Sequence, residues 1–447
     1  MIGARTRIYG TLRVLTSLHV GSGHKGELAR DTETDPESGF SVGLVLLDGN
    51  GMPYIPGSSL KGVLRRLCAN PAILFGPETG ALSSGKVIFW TALHSGKAPG
   101  QGRVPYGDAA QQGRDKTSRE TDIYIESQTA IDGEAGVAER SRLFHSEQVL
   151  PGTEFSFSLT VAAKLDAEVE ADLAVLLARL CADEGVGFGR NTRQGKGRVQ
   201  LLVDTITEEK HSLKGLDKTA TAIWRKNINA ARKTLISSPT CTMTLRGSGP
   251  FLIADNSPRP KAKPGEAAQI FGLNAFEKVG PRLTGASLLG ALRAKFAWEM
   301  ALSSGETDES DKIFGTPEAP TLDTLSTTER LFGVTGWRGR VSLGAIITDE
   351  TLKLQKIMSV RIDRFSGAPI DNALFGTEAW VDPVFTVALT LEKRKGLTAE
   401  QGNFLKADDD RFKTFLEFLK CPLWGGLSLG LGQNKGYGVF AVEVSYG

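Results

Sequence analysis

The strongest constraint on the fold is a fifteen-residue segment that occurs twice in the chain. IPGSSLKGVLRRLCA (55–69) and LTGASLLGALRAKFA (283–297) align without a gap and are identical at seven positions. In both, a turn that contains glycine precedes apolar residues at helical spacing, which predicts a turn followed by a helix. A chain that repeats such a unit is expected to repeat the whole domain around it.

Two further segments recur in the same order. AIDGEAGVAERSRLFHSE (130–147) aligns with RIDRFSGAPIDNALFGTE (361–378) without a gap. GFGRNTRQGKGRVQLLVD (187–204) aligns with GLGQNKGYGVFAVEV (430–444) when a two-residue gap is allowed. Three matches in one order indicate that the chain is two copies of one domain.

We place the first copy at 1–205, a polar connector at 206–237 and the second copy at 238–447. Each copy begins with an alternating strand and continues with the turn and helix, a long variable middle, further strands, a second helix, a glycine loop and a last strand. The order strand–helix–strand–strand–helix–strand is that of a ferredoxin-like domain. The sequence therefore predicts an α+β fold with two ferredoxin-like domains in tandem.

Composition excludes several classes of protein. Of 447 residues, 40% are hydrophobic and 23% charged, and the mean hydropathy is -0.14, as in ordinary globular proteins. No apolar run approaches the roughly 18 residues of a membrane-spanning helix, and the N-terminus resembles no signal peptide, so we expect a cytoplasmic protein without a membrane partner. The four cysteines lie far apart, which argues against a zinc knuckle. A net charge of +2 does not by itself indicate nucleic acid.

Local clusters of cations indicate phosphate binding. In the first turn-helix, Ser58 or Ser59 is expected to cap a helix whose free N–H groups and nearby cations would bind phosphate. The candidate residues are Ser58, Ser59, Lys61, Arg65 and Arg66, with Ser287 and Arg293 in the second copy. A plain capped helix packed on a sheet explains the pattern equally well.

The glycine loops are the second phosphate candidate. The first loop carries four cations among its glycines, Arg190, Arg193, Lys196 and Arg198, whereas the second carries only Lys435. Glycines let a backbone approach a polyanion and turn N–H groups toward it. A solvated hairpin is the alternative. A dinucleotide or P-loop fingerprint is discounted because a strand, not a helix, follows each loop.

These motifs together resemble the RAMP superfamily, the repeat-associated proteins of CRISPR systems. LHVGSG (18–23) followed by GMPYIPGSSLKG (51–62) is similar to the start of the backbone subunits of type III effector complexes, and a fused pair resembles the III-D variants. The second copy departs from the pattern, since LTGASLLG lacks the proline and lysine. The resemblance implies RRM-like palms that grip a guide RNA (crRNA) and inserted β-hairpin thumbs at 131–147 and 362–378. It also implies three kinds of partner: complementary target RNA, further RAMP subunits and a large polymerase or signalling subunit.

The resemblance also implies a nuclease. In the family, an acidic residue between the first strand and the IPGSSLKG helix cleaves target RNA, but its position falls near Val42 here. The enlarged first loop offers other acids, of which we favour Asp31 and then Asp35, and the second copy offers Asp255. Asp31 and Asp255 would hold a divalent cation, with Mg²⁺ expected. A solvated loop charge is the competing reading of each acid.

Several other residues are candidates for RNA contacts. His19 is interpreted as a core or guide-contacting histidine, and catalysis by His24 is disfavoured. Asp132 and Asp363 are interpreted as turn-forming residues. Arg364 and Phe365 would lie in the second thumb, where Phe365 could stack on a base, and Trp337 with Arg338 could supply stacking and phosphate contacts.

Three functions other than a target-cleaving backbone subunit stay open at this point. The first is a purely structural backbone that binds guide and target. The second is a guide-processing endoribonuclease, which would cut repeat RNA without a metal. The third is a small-molecule enzyme of ferredoxin-like fold, for which the cation-rich loop has no evident use.

Overall fold

The structure is a computed structural model that describes residues 5–28, 40–77, 85–96, 122–131, 138–161, 165–212, 215–217, 223–235, 240–254, 268–270, 272, 280–304, 320–348, 353–394 and 397–446. It divides into two compact units. The first comprises Met1–Thr192 and Lys196–Ser237, and the second comprises Arg193–Gly195 and Ser238–Gly447.

The first unit contains four helices and thirteen strands among its described residues. In chain order they are β1 (Arg5–Val14), β2 (Gly21–Leu28), β3 (Phe40–Val45), β4 (Tyr54–Ile55), α1 (Gly57–Leu67), α2 (Pro71–Phe75), β5 (Val87–Phe89), β6 (Ala92–Leu93), β7 (Ile123–Ile131), β8 (Ala138–Val149), β9 (Glu154–Val161), α3 (Ala167–Leu180), β10 (Val186–Gly187), β11 (Arg198–Leu201), β12 (Thr207–Ser212), β13 (Gly215–Asp217) and α4 (Ile223–Thr234).

The second unit repeats the plan with fewer described elements. They are β14 (Cys241–Ser248), β15 (Pro250–Phe251), β16 (Ala268–Ile270), α5 (Gly285–Ser304), α6 (Thr327–Phe332), β17 (Val341–Thr348), β18 (Lys353–Ile362), β19 (Pro369–Val381), β20 (Val384–Leu391), α7 (Ala399–Leu419), β21 (Leu427–Ser428) and β22 (Val439–Ser445).

Both units contain a ferredoxin-like sheet. The strands run β5–β9–β1–β11 in the first unit and β17–β20–β14–β22 in the second, all antiparallel. Numbered by their place in the strand–helix–strand–strand–helix–strand plan, both sheets have the order 2-3-1-4. The prediction of two tandem ferredoxin-like domains is confirmed.

Alternation along the first strand explains where the core lies. Ile8, Leu12 and Val14 on β1 are buried, and α1 and α3 cover that face of the sheet through Leu60, Leu64, Leu173 and Leu177. In the second unit, Met243 and Leu245 on β14 lie in one core with Phe296 from α5 and Phe415 from α7. Among the described residues, each unit therefore has one main hydrophobic core, which lies between its sheet and a layer of helices that includes α1 and α3 in the first unit and α5 and α7 in the second.

A hairpin interrupts each copy near the implied thumb, but its first strand lies ahead of the predicted bounds, 131–147 and 362–378. β7 pairs with β8, and β18 pairs with β19, each as an antiparallel hairpin between the second and third strands of the ferredoxin plan. The first hairpin belongs to a sheet of order β2–β3–β8–β7, in which β3 lies parallel to β8. Among the described residues, no helix is long and apolar enough to cross a membrane.

The predicted helix caps in the first copy are wrong. Helix α1 begins at Gly57, its N-cap is Pro56, and no side chain caps it, so Ser58 and Ser59 lie within the first turn. A Cβ added at Gly57 would lie 2.3 Å from the carbonyl oxygen of Phe89, which explains the glycine. In the second copy, the hydroxyl of Thr284 accepts a hydrogen bond from the Ser287 N–H.

The segment predicted as a connector contributes to the first unit. β12 pairs with β1 from Arg5↔His211 to Tyr9↔Thr207, next to the pairing of β1 with β11. Helix α4 packs against α3 and buries Trp224 and Ile228 in the first core. These two side chains are one helical turn apart, so they lie on one face of the helix. The high average polarity of residues 206–237 conceals this apolar pair.

This packing predicts a stability effect. Ile228→Ala should lower the free energy of unfolding of the first unit by about 2–5 kcal/mol, because a fully buried side chain leaves a cavity. Ile223→Ala on the same helix is the control, since Ile223 is 42% exposed and its loss should cost less than about 0.5 kcal/mol. Urea unfolding measures both, and equal small effects would mean that α4 is only a linker.

Candidate functional site

The two glycine loops have the same backbone without a gap. Positive φ angles occur at matched positions in the first loop (Gly185, Gly189, Asn191, Gly195 and Gly197) and in the second (Gly426, Gly430, Gly432, Gly436 and Gly438). The two-residue gap in the sequence alignment is therefore wrong. It arose because GFG was matched to GLG, whereas the backbone matches GFG to SLG, the segment Ser428–Gly430.

The same backbone hydrogen bonds fix both loops to the end of the first strand. In the first unit, Gly197 N–H donates to Ser17 O (2.8 Å), Arg190 N–H to His19 O (2.9 Å) and Phe188 N–H to Gly197 O (2.8 Å). The second unit has the equivalent set, with Gly438 N–H to Pro250 O (2.8 Å), Leu431 N–H to Leu252 O (2.8 Å) and Leu429 N–H to Gly438 O (2.9 Å). The same arrangement, which we call the glycine-loop device, thus occurs at 185–197 and at 426–438.

The side chains on this device differ between the units. Where the first loop has Arg190, Lys196 and Arg198, the matched positions of the second have Leu431, Tyr437 and Val439. Lys435 is exposed, and its Nζ lies 5.2 Å from the ring centre of Phe375. Phosphate binding at the second loop would therefore depend on its backbone N–H groups and one lysine.

The four loop cations of the first copy have different surroundings. Arg190 is exposed. Lys196 is buried and forms an ion pair with Glu126 of β7. Arg198 is half-buried, with Nη1 3.5 Å from Gly185 O, and Arg193 belongs to the second unit, where it donates to Phe332 O at 2.9 Å. Arg190 is the member whose charge faces solvent, and RNA binding by all four stays a prediction.

His19 lies beneath the first glycine loop. It is 6% exposed, and its Nδ1 lies 2.7 Å from the carbonyl oxygen of Glu147 on β8. A carbonyl only accepts, so Nδ1 carries the proton. Burial lowers the pKa of His19; the Glu147 hydrogen bond opposes this, and Arg190 and Lys196 lower the pKa further. The imidazole is therefore neutral at pH 7 and acts as a link between the glycine loop and the hairpin.

The turn-helix cations divide into two kinds. Lys61 and Arg66 are exposed on α1, off the apolar stripe, as expected. Arg65 donates to Gly76 O at 2.7 Å and Arg293 donates to Gly333 O at 2.5 Å. Both glycines end the short helix after the turn-helix, with φ near +88° in each (87° and 89°). These two equivalent hydrogen bonds hold the turn after the short helix in place. The sequence contains a signal for them, the repeated LFG at 74–76 and 331–333, which sequence reasoning missed.

The tip of the second hairpin presents an aromatic ring to solvent. Phe365 is fully exposed and Arg364 beside it is exposed. Asp363 holds the turn, since its Oδ1 accepts from Phe365 N–H (3.0 Å) and Ser366 N–H (2.8 Å), and these hydrogen bonds lower its pKa. The turn-forming role of Asp363 is confirmed, while Asp132 lies outside the described residues.

The candidate catalytic acids Asp31, Asp35 and Asp255 lie outside the described residues, so their roles stay predictions. Within the described ranges, no group of three or more histidine, cysteine or acidic side chains could hold a metal ion. Val42, near which the family's acid was expected, is buried on β3 and pairs with His145 of β8. His145 Nδ1 lies 2.8 Å from Ser127 Oγ across the hairpin, a pair that sequence reasoning did not select.

The close packing of the glycine loop predicts that alanine is not tolerated there. At Gly197 φ is +69° and an added Cβ would lie 2.0 Å from Phe188 O, so Gly197→Ala should cost more than about 2 kcal/mol of unfolding free energy. Gly436→Ala tests strain alone, because φ is +80° with open space around it, and should cost about 1–2 kcal/mol. Gly62→Ala on α1 should be neutral or stabilising by about 0.4–1 kcal/mol. Equal effects in urea unfolding would contradict the steric explanation.

The lowered pKa of His19 predicts a pH effect on stability. The unfolded chain binds a proton near pH 6.5 while the folded chain resists it, so His19 reduces the free energy of unfolding as the pH falls below about 6.5, by at most ~1.4 kcal/mol per pH unit. His19→Asn keeps a donor for Glu147 O and does not titrate. The wild type should therefore lose stability relative to His19→Asn between pH 7.5 and 5.5, measured by urea unfolding of RNA-free protein. Parallel losses would contradict the assignment.

Comparison with known proteins bears on both units. A curated relative from Enterococcus italicus, the CRISPR system Cms endoribonuclease Csm3, is 24% identical over 212 residues, which cover 45% of this chain and 92% of the relative. The family model of the RAMP superfamily matches residues 11–200 and 277–441, which include a turn-helix, a hairpin and a glycine loop from each unit. Since these regions make up well over half of the chain, the protein belongs to the RAMP superfamily.

Proposed function

We propose that the chain is a guide-RNA-binding backbone subunit of a type III CRISPR effector complex, and that it positions and cleaves complementary target RNA at regular intervals. The observation that carries this proposal is the duplication of one device: the family match covers both units, and both hold a glycine loop with the same backbone hydrogen bonds. The relative's name, an endoribonuclease of a CRISPR system, supports both the complex and the cleavage.

Binding of the guide is assigned to exposed groups of each unit. In the first unit these are Lys61 and Arg66 on α1 and Arg190 in the glycine loop, which are cations that a phosphate can approach. In the second they are Lys435 and, at the hairpin tip, Arg364 and Phe365. An exposed phenylalanine beside an arginine is suited to stack on a splayed base while the arginine contacts phosphate.

The proposed setting is a cytoplasmic complex. Its components would be crRNA, complementary target RNA, further RAMP subunits and a large polymerase or signalling subunit. Two units in one chain would then occupy two consecutive positions along the guide, with one hairpin inserted at each position.

Cleavage is proposed to proceed by in-line attack of a 2′-hydroxyl on the adjacent phosphate. The O2′–P bond forms as the P–O5′ bond breaks, which leaves a 2′,3′-cyclic phosphate and a 5′-hydroxyl. The 2′-hydroxyl proton passes to a base, for which a carboxylate of Asp31, Asp35 or Asp255 is the candidate, and the leaving 5′-oxygen takes up a proton. Mg²⁺ dependence is part of the proposal, since a divalent cation would stabilise the charge on the phosphate.

A structural backbone that binds guide and target without cutting is the second candidate. One observation favours it for the first unit: Val42, near which the family's acid was expected, is a buried valine. A guide-processing endoribonuclease is the less favoured alternative.

The test is to purify the chain with the proteins of its operon, sequence the bound RNA, and add labelled complementary RNA with Mg²⁺ or EDTA. Asp31→Ala, Asp35→Ala and Asp255→Ala should each be measured for guide content and cuts. We expect spacer-derived guides, cuts at regular spacing that EDTA abolishes, and loss of one set of cuts by more than about 100-fold for the acid that serves each unit.

Asp410→Ala is the control variant, because Asp410 is an exposed acid of helix α7 and should leave every cut unchanged. Guides with an intact target would favour the structural backbone. Cutting of repeat RNA in EDTA would favour guide processing, and a preparation without RNA would contradict the proposal as a whole.

A further inference from the structure

A group of arginines in the second unit is not part of the glycine-loop device. It lies where β17 begins and β20 has just ended, around the tight turn Val334–Trp337, which two backbone hydrogen bonds close (3.0 and 2.9 Å). Arg340 is its buried member: it donates to Glu392 O (3.1 Å) and Leu405 O (3.2 Å) and pairs with Asp409 (2.6 Å). Arg340 is therefore a structural residue.

Two arginines of this group reach the surface in fixed positions, Arg338 exposed and Arg394 half-buried. The guanidinium of Arg394 stacks over the Trp337 ring at 3.9 Å from its centre and donates to the carbonyl oxygen of Arg338. Arg338 is 44% exposed in its side chain and pairs with Glu392 at 2.9 Å. Stacking on an aromatic ring fixes a guanidinium without using all its N–H donors, so further donors stay available to a ligand.

The charges here are not balanced. Lys393 is exposed between Glu392 and Arg394, and Arg193 also interacts with Glu392 and Arg338, so four cations share the Glu392 carboxylate. Burial lowers the pKa of Arg394, Arg340 lowers it further, Glu392 opposes this and Arg338 adds to the lowering. The repulsion between these cations would be relieved by an anion from outside the unit.

We propose that Arg338, Lys393 and Arg394 form a phosphate-binding site for single-stranded RNA on the second unit. This rests on the proposed function and extends it, because the second glycine loop lacks the cations of the first. Guanidinium groups match the geometry of phosphate oxygens, and a pair of fixed arginines can bind successive phosphates.

The absence of exposed apolar side chains favours RNA over a protein partner. Among described residues 334–340 and 391–394, no large apolar side chain is strongly exposed, and the exposed residues are Thr335, Gly336, Arg338 and Lys393. Protein interfaces place an apolar or aromatic anchor at their centre, whereas phosphate contacts need only fixed cations.

The experiment measures binding of the full chain to a fluorescent single-stranded RNA by anisotropy across a KCl series. The double variant Arg338→Ala/Arg394→Ala should bind more weakly and should reduce the slope of log K against log salt by about 1.4, which is roughly 0.7 for each phosphate contact. The control is Arg246→Ala, because Arg246 is also an exposed arginine paired with a glutamate (Glu443, 2.7 Å) in the same unit, and it should leave affinity and slope unchanged.

A second variant should change the RNA affinity in the opposite direction. Glu392→Gln removes the carboxylate that competes with RNA and should tighten binding, while the matched Glu443→Gln should have no effect. If the double variant does not fold, as judged by urea unfolding, Lys393→Ala replaces it and should reduce the slope by about 0.7.

Each other outcome overturns the site. Wild-type slope in the double variant, or no tightening by Glu392→Gln, shows that these cations do not contact RNA. Unchanged RNA binding with loss of a protein subunit from the purified complex assigns the cations to an acidic protein instead. If wild-type protein binds no RNA at all, both the proposed function and this site fail. If wild-type protein binds RNA but the variants behave like it, only this site fails.

Discussion

The attachment of a glycine loop to the end of the first strand is the contact on which each unit depends. A carbonyl oxygen of the partner segment occupies the space where a side chain would begin, since a Cβ added at Gly189 would lie 2.1 Å from His19 O and one added at Gly430 would lie 2.3 Å from Leu252 O. Such approach is possible only for glycine, and the positive φ angles add a second reason for it. The loop in turn leads directly into the last strand, which pairs with the first.

This one constraint also positions the functional groups. The first loop rests on residues 17–20, so His19 becomes buried against the hairpin through Glu147, and Lys196 reaches Glu126 on β7. Palm and hairpin of the first unit are thereby joined through buried polar contacts, which are directional and costly to leave unmet. In the second unit Leu252 occupies the place of His19, and the neighbouring strand β15 pairs with β19 of the hairpin, so this position joins the hairpin without a histidine. The two units share a backbone and differ in charge.

Much of the fold could be predicted from the sequence, because a duplicated pattern confines the possibilities. The strand and helix order along the chain followed from apolar periodicity, and both sheets have the strand order of a ferredoxin-like domain. The predictions that failed concern local features. Helix α1 takes Pro56 as its N-cap rather than a serine, since Gly57 must approach Phe89. The segment 206–237 reads as polar on average, yet two apolar residues, Trp224 and Ile228, fix its helix to the core. The alignment of the two glycine loops failed because it paired identical residue letters. The positive φ angles of the backbone show which positions of the two loops correspond.

The candidate site was predictable to a smaller degree. A cation count in the first loop does not reveal that Lys196 is neutralised by Glu126, a residue 70 positions away, because ion pairs between distant segments depend on the fold. Arg65 and Arg293 look like surface cations in sequence but donate to the glycines that end the next helix. The acids proposed for cleavage lie outside the described residues, and their assignment depends on chemistry and family resemblance alone.

The central claim is that both units bind the guide through the same backbone device. The most direct measurement is photocrosslinking of the purified complex that carries 4-thiouridine guides, with crosslinked peptides identified by mass spectrometry. The account predicts crosslinks in both loops, 185–198 and 426–439, at guide positions separated by a constant interval. Crosslinks confined to one loop, or scattered without a fixed interval, would contradict it.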